Sequence, residues 1–188
     1  MATNHANRIR IIGGTMRGQV LRFPDAPDLR PTPDRVRETL FNWLGQELTG
    51  KRCLDLYAGT GALSIEAASR GASLCVAVDS SRGLIDALRA NAERNGVAAL
   101  ETRVSDARTY VNREIRTFDV VFLDPPFRED PWAWLLPACA ARVAPGGFLY
   151  AEAASPVAPP PGLLPWRSDK AGQVHYHLFV RADAAPSP

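Results

Sequence analysis

Two segments of the sequence carry residues that can do chemistry together. The first, Cys53–Gly61, is an apolar strand that reaches Asp55 and continues into a loop with glycines at positions 59 and 61. Such a loop lets a nucleotide-like ligand approach the backbone, with a helix N-terminus behind it. Position 64 is serine, so the third glycine of a dinucleotide-binding loop is missing. Because Asp55 would repel a pyrophosphate and attract a cation, we expect a ligand with a positively charged amino-acid end.

The second segment, Phe122–Phe127, reads Phe-Leu-Asp-Pro-Pro-Phe. Two prolines cannot continue a central strand, so they predict a stiff turn that presents the Asp124 carboxylate and the Pro125 carbonyl side by side. Two such acceptors and the aromatic face of Phe127 suit a planar NH₂ group on a ring. Hydrogen bonds that draw this amine towards tetrahedral geometry localise its lone pair, so no strong general base is required. The alternative is that Asp-Pro-Pro forms only a turn.

Two further acids follow predicted strands. Asp79 lies 18 residues after Gly61, where α/β nucleotide-binding proteins place a carboxylate on the ribose hydroxyls. Asp106 follows the next strand and can accept from an adenine amine. Each acid alone is also explained as a helix cap or a loop residue. Their joint position at the carboxyl ends of successive strands favours a ligand site, because open parallel sheets bind ligands there.

The elements that must position these acids follow an α/β pattern. From Lys51 onward, short apolar runs alternate with helical stretches, which predicts a mostly parallel sheet. The predicted strands are Cys53–Leu56, Leu74–Asp79, Glu101–Val104, Val120–Asp124 and Phe148–Glu152, and the predicted helices are Ala62–Arg70, Arg82–Asn95, Ala107–Arg113 and Trp132–Arg142. Val174–Val180 predicts a last strand, paired antiparallel with a segment around Trp166–Lys170.

A hairpin is predicted before the sheet. Arg8–Ile12 and Gln19–Phe23 are strand-like, and the glycines between them suit a turn. A helix follows, for which we expect Thr32 as the N-cap and Pro33 at the first helical position.

This helix has one predicted apolar face. Apolar residues recur every four positions, at Val36, Leu40, Leu44 and Leu48. Arg35, Arg37 and Glu38 lie off that face, so we expect them to be available to solvent or a ligand.

The net charge of +2, from 22 basic and 20 acidic residues, excludes a highly charged disordered chain and a uniformly basic nucleic-acid coat. The charge is uneven, because residues 1–22 hold four arginines and no acid, a local charge of +4, so the rest of the chain sums to −2. The four are Arg8, Arg10, Arg17 and Arg22. This asymmetry indicates a basic arm that faces an anionic partner, although an ordinary solvated terminus explains it as well.

The cysteines and the apolar runs predict a compartment. Cys53, Cys75 and Cys139 show no metal-ligand spacing, so we expect reduced core residues, no structural disulfide and no metal. The N-terminus lacks the apolar region of a signal peptide, and no apolar run approaches the ~18 residues of a membrane span. We therefore expect a soluble cytoplasmic protein.

Several motifs together resemble a known family. Asp55-Leu-Tyr-Ala-Gly-Thr-Gly61 is similar to motif I of class I S-adenosylmethionine-dependent methyltransferases, and Asp124-Pro-Pro-Phe127 is similar to motif IV of their amino-methylating branch. Four further segments narrow the resemblance to the RsmD family of 16S ribosomal RNA guanine-N2 methyltransferases, over nearly the whole chain. These segments are Arg8–Gly14, Arg17-Gly18, Arg30–Phe41 and Gly61–Ala72. The resemblance implies a Rossmann-like sheet preceded by the small hairpin and helix.

The resemblance also implies site residues and partners. S-adenosylmethionine is the implied cofactor, bound by Asp55, Ala58, Gly59, Gly61, Asp79, Ser80, Asp106, Ala107 and Thr32. Asp124 and Pro125 hold the guanine amine, with Phe127 against the base. The arginines implied to contact RNA are Arg8, Arg10, Arg17, Arg22, Arg30 and Arg35. At position 79 the family commonly has glutamate, whereas this chain has aspartate, which is one methylene shorter, and related methyltransferases use either acid.

The implied organisation is an RNA-contacting extension (1–33), a methyltransferase domain (34–181) and a disordered tail (182–188). We expect a monomer that acts on 16S ribosomal RNA in a 30S subunit or an assembly intermediate.

Three alternatives remain. An adenine-N6 methyltransferase acting on DNA or RNA shares the fold and motif IV, but the chain has no room for a sizeable target-recognition domain. A protein-glutamine methyltransferase also uses a Pro-Pro turn, though it has little need for an acid-free basic arm. A nicotinamide-dependent enzyme is disfavoured by Ser64 and does not explain Asp124–Phe127.

Overall fold

A computed structural model describes residues 8–24 and 32–182 of the 188-residue chain. Its first part holds the strands β1 (Arg8–Arg10) and β2 (Val20–Arg22) and the helix α1 (Asp34–Trp43). The central part runs β3 (Arg52–Asp55), α2 (Ala62–Ser69), β4 (Leu74–Asp79), α3 (Arg82–Arg94), β5 (Leu100–Val104), α4 (Ala107–Arg113), β6 (Phe118–Leu123) and α5 (Trp132–Ala140). The last strands are β7 (Val143–Ala153), β8 (Leu163–Ala171) and β9 (Val174–Arg181).

The main sheet has seven strands in the order β5-β4-β3-β6-β7-β9-β8. The five strands from β5 to β7 pair in parallel, whereas β9 pairs antiparallel with both β7 and β8. The predicted fold class, an α/β sheet with an antiparallel C-terminal pair, is confirmed. Within the described residues, no helix combines the length and the apolar character that a membrane span requires.

Helices cover both faces of the sheet. On one face, α4 and α5 bury Val111, Leu135 and Cys139 against alternate residues of the central strands. On the other face, α1 and α2 bury Phe41 and other apolar residues against Phe122 and its neighbours. Parallel strands that are buried on both faces read as continuous apolar runs, which is why the sequence located them well. The three cysteines are buried, as predicted, and they are free thiols.

One helix ends and one strand begins at residues other than those predicted, because contacts with distant parts of the chain set these positions. The helix α1 ends at Trp43, because Gly45 and Gln46 adopt positive φ angles of 91° and 66°. The prediction that the apolar face of this helix extends to Leu48 is therefore wrong. Leu48 is nevertheless buried, in the loop that follows the helix. The strand β7 begins at Val143 rather than Phe148, with a register irregularity opposite β6.

The hairpin formed by β1 and β2 is anchored to α2 through backbone groups. Glu66 accepts a hydrogen bond from the Ile12 amide through Oε2 at 2.9 Å. The Ser69 hydroxyl donates to the Gly13 carbonyl at 2.6 Å and accepts from the Met16 amide at 2.9 Å. Gly14 has φ of +71°, and a Cβ there would stand 1.9 Å from the Ser69 carbonyl oxygen. Only glycine permits this close approach of the hairpin turn to the helix.

The second hairpin strand is held by α3. The Asn91 side chain accepts from the Arg22 amide at 3.0 Å and donates to the Arg22 carbonyl at 2.7 Å. The hairpin also places Ile11 and Leu21 in an apolar cluster with residues of α2 and α3. The basic segment is thus a rigid part of the packed structure. The predicted division of the chain at residue 33 stays a prediction, and the predicted tail beyond Ala182 lies outside the described residues.

Candidate active site

A cavity of about 920 Å³ opens at the carboxyl ends of the parallel strands. Each of the five parallel strands contributes one acid to its wall, at or just beyond the strand end. These acids are Asp55 from β3, Asp79 from β4, Asp106 after β5, Asp124 after β6 and Glu152 from β7. Four of them were predicted site residues, and the parallel pairing of the strands brings them to one edge of the sheet as expected.

Most of the predicted cofactor and catalytic residues line this cavity. They are Thr32, Asp55, Ala58, Gly59, Asp79, Ser80, Asp106, Ala107, Asp124, Pro125 and Phe127. Gly61 does not line it. Its amide donates to the Ala58 carbonyl at 2.7 Å, its φ is +77°, and a Cβ there would stand 2.1 Å from the Leu88 Cδ1 atom. Gly61 therefore permits the turn into α2 and the packing of α3 behind the cavity wall.

Asp55 is a buried acid fixed by a serine of the following helix. The Ser64 hydroxyl donates to Asp55 Oδ2 at 2.6 Å, and only 3% of the Asp55 surface is exposed. Burial raises the pKa of Asp55 to about 7, and the charge of Asp79 raises it further, while the Ser64 bond opposes the shift. The serine that replaces the third glycine of a dinucleotide-binding loop thus orients this carboxylate.

Asp79 shapes the glycine-containing loop as well as the cavity. Its Oδ2 atom accepts from the Gly59 amide at 2.9 Å, and its Oδ1 atom accepts from the Ser81 amide at 2.8 Å. A carboxylate offers about four acceptor positions, so capacity remains for two ligand hydroxyls. The Gly59 amide is used within the protein, so it is the glycine's lack of a side chain that opens this part of the wall.

Asp106 has both roles that the sequence left open. Its side chain caps α4 by accepting from the Thr109 amide at 2.9 Å through Oδ1. The residue also lines the cavity, next to Ala107. The cap and the ligand interpretations therefore do not exclude each other.

Asp124 follows β6 and receives one hydroxyl from the segment before α1. Thr32 Oγ1 donates to Asp124 Oδ2 at 3.3 Å. The expected N-cap role of Thr32 is wrong, because Pro33 caps α1 and its carbonyl accepts from the Val36 and Arg37 amides at 3.0 and 3.1 Å. Burial raises the pKa of Asp124 well above its ordinary value, and the charges of Glu152 and Asp55 add to the shift.

The residues after Asp124 form a turn at the cavity mouth. Pro125 is buried, whereas 44% of the Phe127 surface is exposed. Both residues line the cavity, so the acceptors and the aromatic ring predicted to surround a planar amine lie in one wall. An exposed large aromatic ring beside a polar cavity suits stacking on a planar ligand.

Glu152 is a cavity residue that the sequence reasoning missed. It is 2% exposed, and Tyr150 Oη donates to its Oε1 atom at 2.9 Å. Burial raises the pKa of Glu152 to about 7, although the hydrogen bond from Tyr150 opposes the shift. The signal that located Asp55, Asp79, Asp106 and Asp124 also applies here, because Glu152 ends the predicted strand Phe148–Glu152.

The predicted RNA-contacting arginines lie apart from the cavity wall. Arg8, Arg10, Arg17 and Arg22 are exposed on the hairpin, and within the described residues none of them forms an ion pair. Arg8 pairs with Arg22 in the β1–β2 register. Arg35 is exposed near the start of α1, close enough to Asp169 to lower the pKa of that acid. Arg30 lies outside the described residues.

Arg37 is buried, which corrects the expectation that it is available to solvent or a ligand. None of its side chain is exposed, and its guanidinium contacts Asp34, Glu66 at 3.5 Å and the Arg10 carbonyl at 3.0 Å. Helical periodicity placed Arg37 off the apolar stripe, but the hairpin packs against that side of α1. Arg37 therefore belongs to the junction between the hairpin, α1 and α2.

Comparison with known proteins places this geometry in a family. A family model described as Conserved hypothetical protein 95 matches residues 9–180. The ribosomal RNA small subunit methyltransferase D of Escherichia coli K12 is 37% identical over 189 aligned positions, covering 95% of this chain and 93% of that protein. The chain belongs to the ribosomal RNA small subunit methyltransferase D family. The family member from Haemophilus influenzae is 37% identical over 66% of both chains.

Solved structures agree with membership of the methyltransferase D family. The Escherichia coli protein yhhF superposes with a TM-score of 0.84 at 35% identity, over 94% of this chain and 99% of that chain. A magnesium protoporphyrin IX methyltransferase from Synechocystis, solved with bound S-adenosylmethionine, superposes with a TM-score of 0.65 at 17% identity, over 79% of both chains. The second likeness shows the shared fold alone. The family inferred from the sequence motifs is confirmed.

Proposed function

We propose that this member of the methyltransferase D family methylates the exocyclic N2 amine of one guanine in small-subunit ribosomal RNA. Family membership makes the protein a ribosomal RNA methyltransferase that uses S-adenosylmethionine. The observation that carries the choice of an amine is the wall formed by Asp124, Pro125 and Phe127, which shares one cavity with the acids of the cofactor side. The specific base and the role of each residue form the proposal.

The described residues fit S-adenosylmethionine. The cofactor carries a sulfonium and an ammonium group, and the cavity is lined by six acids, Glu129 and the five at the strand ends, whose mutual repulsion a bound cation relieves. Asp55 is placed to hold the amino-acid end, Asp79 the ribose and Asp106 the adenine amine. The small residues Ala58, Gly59 and Ala107 leave room for the ligand, and Ser80 and Thr32 complete the wall.

When bound, the cofactor supplies an already activated methyl group, so the protein contributes alignment and polar contacts. Asp124 Oδ and the Pro125 carbonyl accept the two hydrogens of the amine and turn its lone pair towards the cofactor. Phe127 stacks on the base and fixes its plane. Thr32 donates to Asp124 and limits its rotation. A base within a stacked helix cannot reach this cavity, so the guanine is flipped or lies in an unstacked loop.

The hairpin arginines and Arg35 supply contacts to RNA phosphates, since they are exposed and the four hairpin arginines form no ion pair within the described residues. The natural substrate in this proposal is a 30S subunit or an assembly intermediate, and the enzyme acts as a cytoplasmic monomer.

The test is transfer of labelled methyl groups by wild type and Asp124→Ala. We expect the variant to lose transfer by about 100-fold or more, because a preorganised polar contact at the reacting centre contributes this much. Cofactor affinity, measured by calorimetric titration, should stay within about threefold of wild type. Asp130→Ala, an exposed acid of the same loop, is the matched control and should keep full activity. Wild-type transfer rates in Asp124→Ala would refute the catalytic assignment.

The choice of substrate needs a separate measurement. Ribosomal particles, naked RNA, DNA and protein are offered to the wild-type enzyme, and mass spectrometry maps the methylated position. As RNA substrate we use small-subunit ribosomal RNA from a strain that lacks the protein. We expect the added enzyme to form N2-methylguanine in this RNA. Methylation of adenine N6 or of a glutamine side chain would instead support one of the alternatives above.

A further inference from the structure

Glu152 occupies the position beside Asp124 on the neighbouring strand. In the register of β6 and β7, Phe122 pairs with Tyr150 and Leu123 pairs with Ala151. Glu152 continues this register opposite Asp124. Because side chains alternate along strands, both acids lie on the face that carries Phe122 and Tyr150. Neighbouring strands are about 4.8 Å apart, so the two carboxyl groups can contact one planar ligand.

Packing does not account for a glutamate at this position. Its side chain is 2% exposed, and within the described residues it has no cationic partner. A buried carboxylate without a counter-charge is costly, so such residues are retained where a ligand completes their contacts. Tyr150 donates a hydrogen bond to Glu152 and fixes its orientation, and this bond uses about one of its four acceptor positions. The remaining acceptor capacity of this cavity-lining residue is available to a ligand.

We propose that Glu152 accepts a hydrogen bond from the N1–H group of the guanine whose N2 amine is held by Asp124, and thereby selects guanine over adenine and cytosine. This inference rests on the function proposed above. In guanine the amine stands next to a ring N–H donor. In adenine and cytosine the amine stands next to a ring nitrogen that carries a lone pair.

The geometry explains why one acid is not sufficient for this choice. Asp124 and the Pro125 carbonyl recognise an NH₂ group, which guanine, adenine and cytosine all possess. A second carboxylate beside them is satisfied only by a base with a further N–H donor, and it faces a lone pair in the other two bases. A charge-assisted hydrogen bond then forms with guanine alone, and the wrong bases leave a buried charge unpaired.

The electrostatics of the cavity agree with a ligand that donates several hydrogen bonds. Burial raises the pKa of Glu152, and burial together with the charge of Glu152 raises the pKa of Asp124. Each N–H donor that the base brings stabilises the charged form of one of these acids. A guanine edge brings three such hydrogens, two from N2 and one from N1.

The test compares guanine with 2-aminopurine at the mapped position of the RNA substrate. 2-Aminopurine keeps the amine at C2 and lacks the hydrogen at N1. We expect wild type to prefer guanine in kcat/KM by about 100-fold or more, because a site built to accept a hydrogen bond rejects an analogue that lacks the donor. In Glu152→Gln the side-chain amide can donate to the bare N1 atom, so the preference should shrink by about tenfold or more.

Two controls separate recognition of the base from other roles. Asp130→Asn removes an exposed acid and should leave the preference unchanged. Tyr150→Phe removes the hydroxyl that orients Glu152 and should reduce the preference by a smaller factor than Glu152→Gln does. Calorimetric titration with S-adenosylmethionine should give the wild-type affinity for Glu152→Gln, and thermal unfolding should show that the variant is folded and at least as stable as wild type. A weakened cofactor affinity with an unchanged base preference would assign Glu152 to the cofactor and overturn the inference.

The comparison also distinguishes this inference from the function on which it rests. If wild type methylates guanine and 2-aminopurine equally well, the role of Glu152 is wrong and the proposed function stands; this result needs no variant to fold. If wild type transfers no methyl group to guanine N2 in any RNA or particle, the proposed function itself fails.

Discussion

Two places at which the protein buries charged side chains differ in the partners that those charges meet. At the junction between the hairpin and α2, Glu66 contacts the guanidinium groups of Arg37 and Arg70 as well as the Ile12 amide. In the cavity, by contrast, two buried acids and one half-buried acid accept hydrogen bonds from hydroxyl groups of the described residues. These acids are Asp55, Asp124 and Glu152.

This difference indicates what each group of charges is for. The junction acid is compensated by cations of the same chain, so its interactions are complete and hold the fold. The cavity acids raise one another's pKa, so the isolated protein holds them in an unfavourable state. In the function proposed above, a cationic cofactor and a base with several N–H donors relieve that state. Buried charge without a counter-charge thus marks the functional site, whereas compensated buried charge marks an interface within the structure.

The largest expected effect is a loss of stability when a charge at the junction between the hairpin and α2 is removed. Glu66→Gln removes one of the two carboxylates that contact the buried Arg37 and also the carboxylate that contacts Arg70, and removing one partner of a buried ion pair costs about 3–5 kcal/mol. We expect thermal unfolding to begin well below the wild-type temperature, by about 2–4 °C per kcal/mol. Glu47→Gln, at an exposed position, should stay within about 0.5 kcal/mol of wild type. Equal stability of the two variants would contradict the role assigned to the junction.

The second prediction concerns the cavity, where replacing a buried acid should raise the stability of the protein at high pH. The pKa of Asp55 is about 7 in the folded protein, against an ordinary value of 3.8, so the folded protein binds this proton more tightly than the unfolded chain does. The contribution of this proton to the free energy of unfolding is fully present below about pH 4 and is lost as the pH rises through about 7. A pKa difference of about three corresponds to about 4 kcal/mol. Urea unfolding of Asp55→Asn should lack this part of the pH dependence, so at pH 8 the cofactor-free variant should be more stable than wild type.

Asp86→Asn, at an exposed position, is the control and should keep the pH dependence of wild type. The same pH dependence in wild type and Asp55→Asn between pH 4 and pH 8 would contradict a raised pKa at Asp55.

A third, smaller effect compares two serines of the same helix. Ser64 donates to Asp55 in the cavity and Ser69 donates to Gly13 at the junction, both at 2.6 Å. Ser64→Ala removes a bond that lowers the pKa of Asp55, so we expect cofactor affinity to fall about tenfold at pH 7 and to recover as the pH rises. Ser69→Ala should lower the melting temperature and leave cofactor affinity unchanged. Calorimetric titration and thermal unfolding of both variants measure this contrast.

The smallest effect per residue is expected on the hairpin surface. Replacing one of Arg8, Arg10, Arg17 or Arg22 by glutamine should reduce the slope of log affinity for RNA against log salt by about 0.7–0.9. Replacing all four should remove about 3–4 from the slope. Arg103→Gln is the control, because Arg103 is exposed but already paired with Glu101 at 3.0 Å. An unchanged slope in the fourfold variant would remove the hairpin from the RNA interface.

Much of the sheet and of the cavity was predictable from local patterns. The strand Leu74–Asp79 and the helix Ala107–Arg113 have the bounds that the sequence predicted. Parallel strands that are buried on both faces appear as apolar runs, and their carboxyl ends meet at one edge. The acids at those ends therefore had to lie near one another. The position of Glu152 followed the same logic and was available from the sequence.

The details that were wrong depend on contacts between distant segments. Periodicity placed Arg37 on an open side of its helix, and capping preference placed Thr32 at the helix end. The hairpin covers the first residue, and Asp124 attracts the second across 92 positions of sequence. Neither contact can be predicted from a short segment of sequence, because the two partners are far apart in the chain.

The sequence by itself determined the fold class, the family and the edge of the sheet where the chemistry lies, because strand periodicity and the residues at strand ends are local properties. Tertiary structure alone decided which buried charges are compensated. Arg37, Glu66 and the hairpin backbone meet only when α1, α2 and the hairpin pack together, whereas the cavity acids meet at the carboxyl ends of the packed strands. Compensation depends on the distances between charges, and only the folded chain sets those distances.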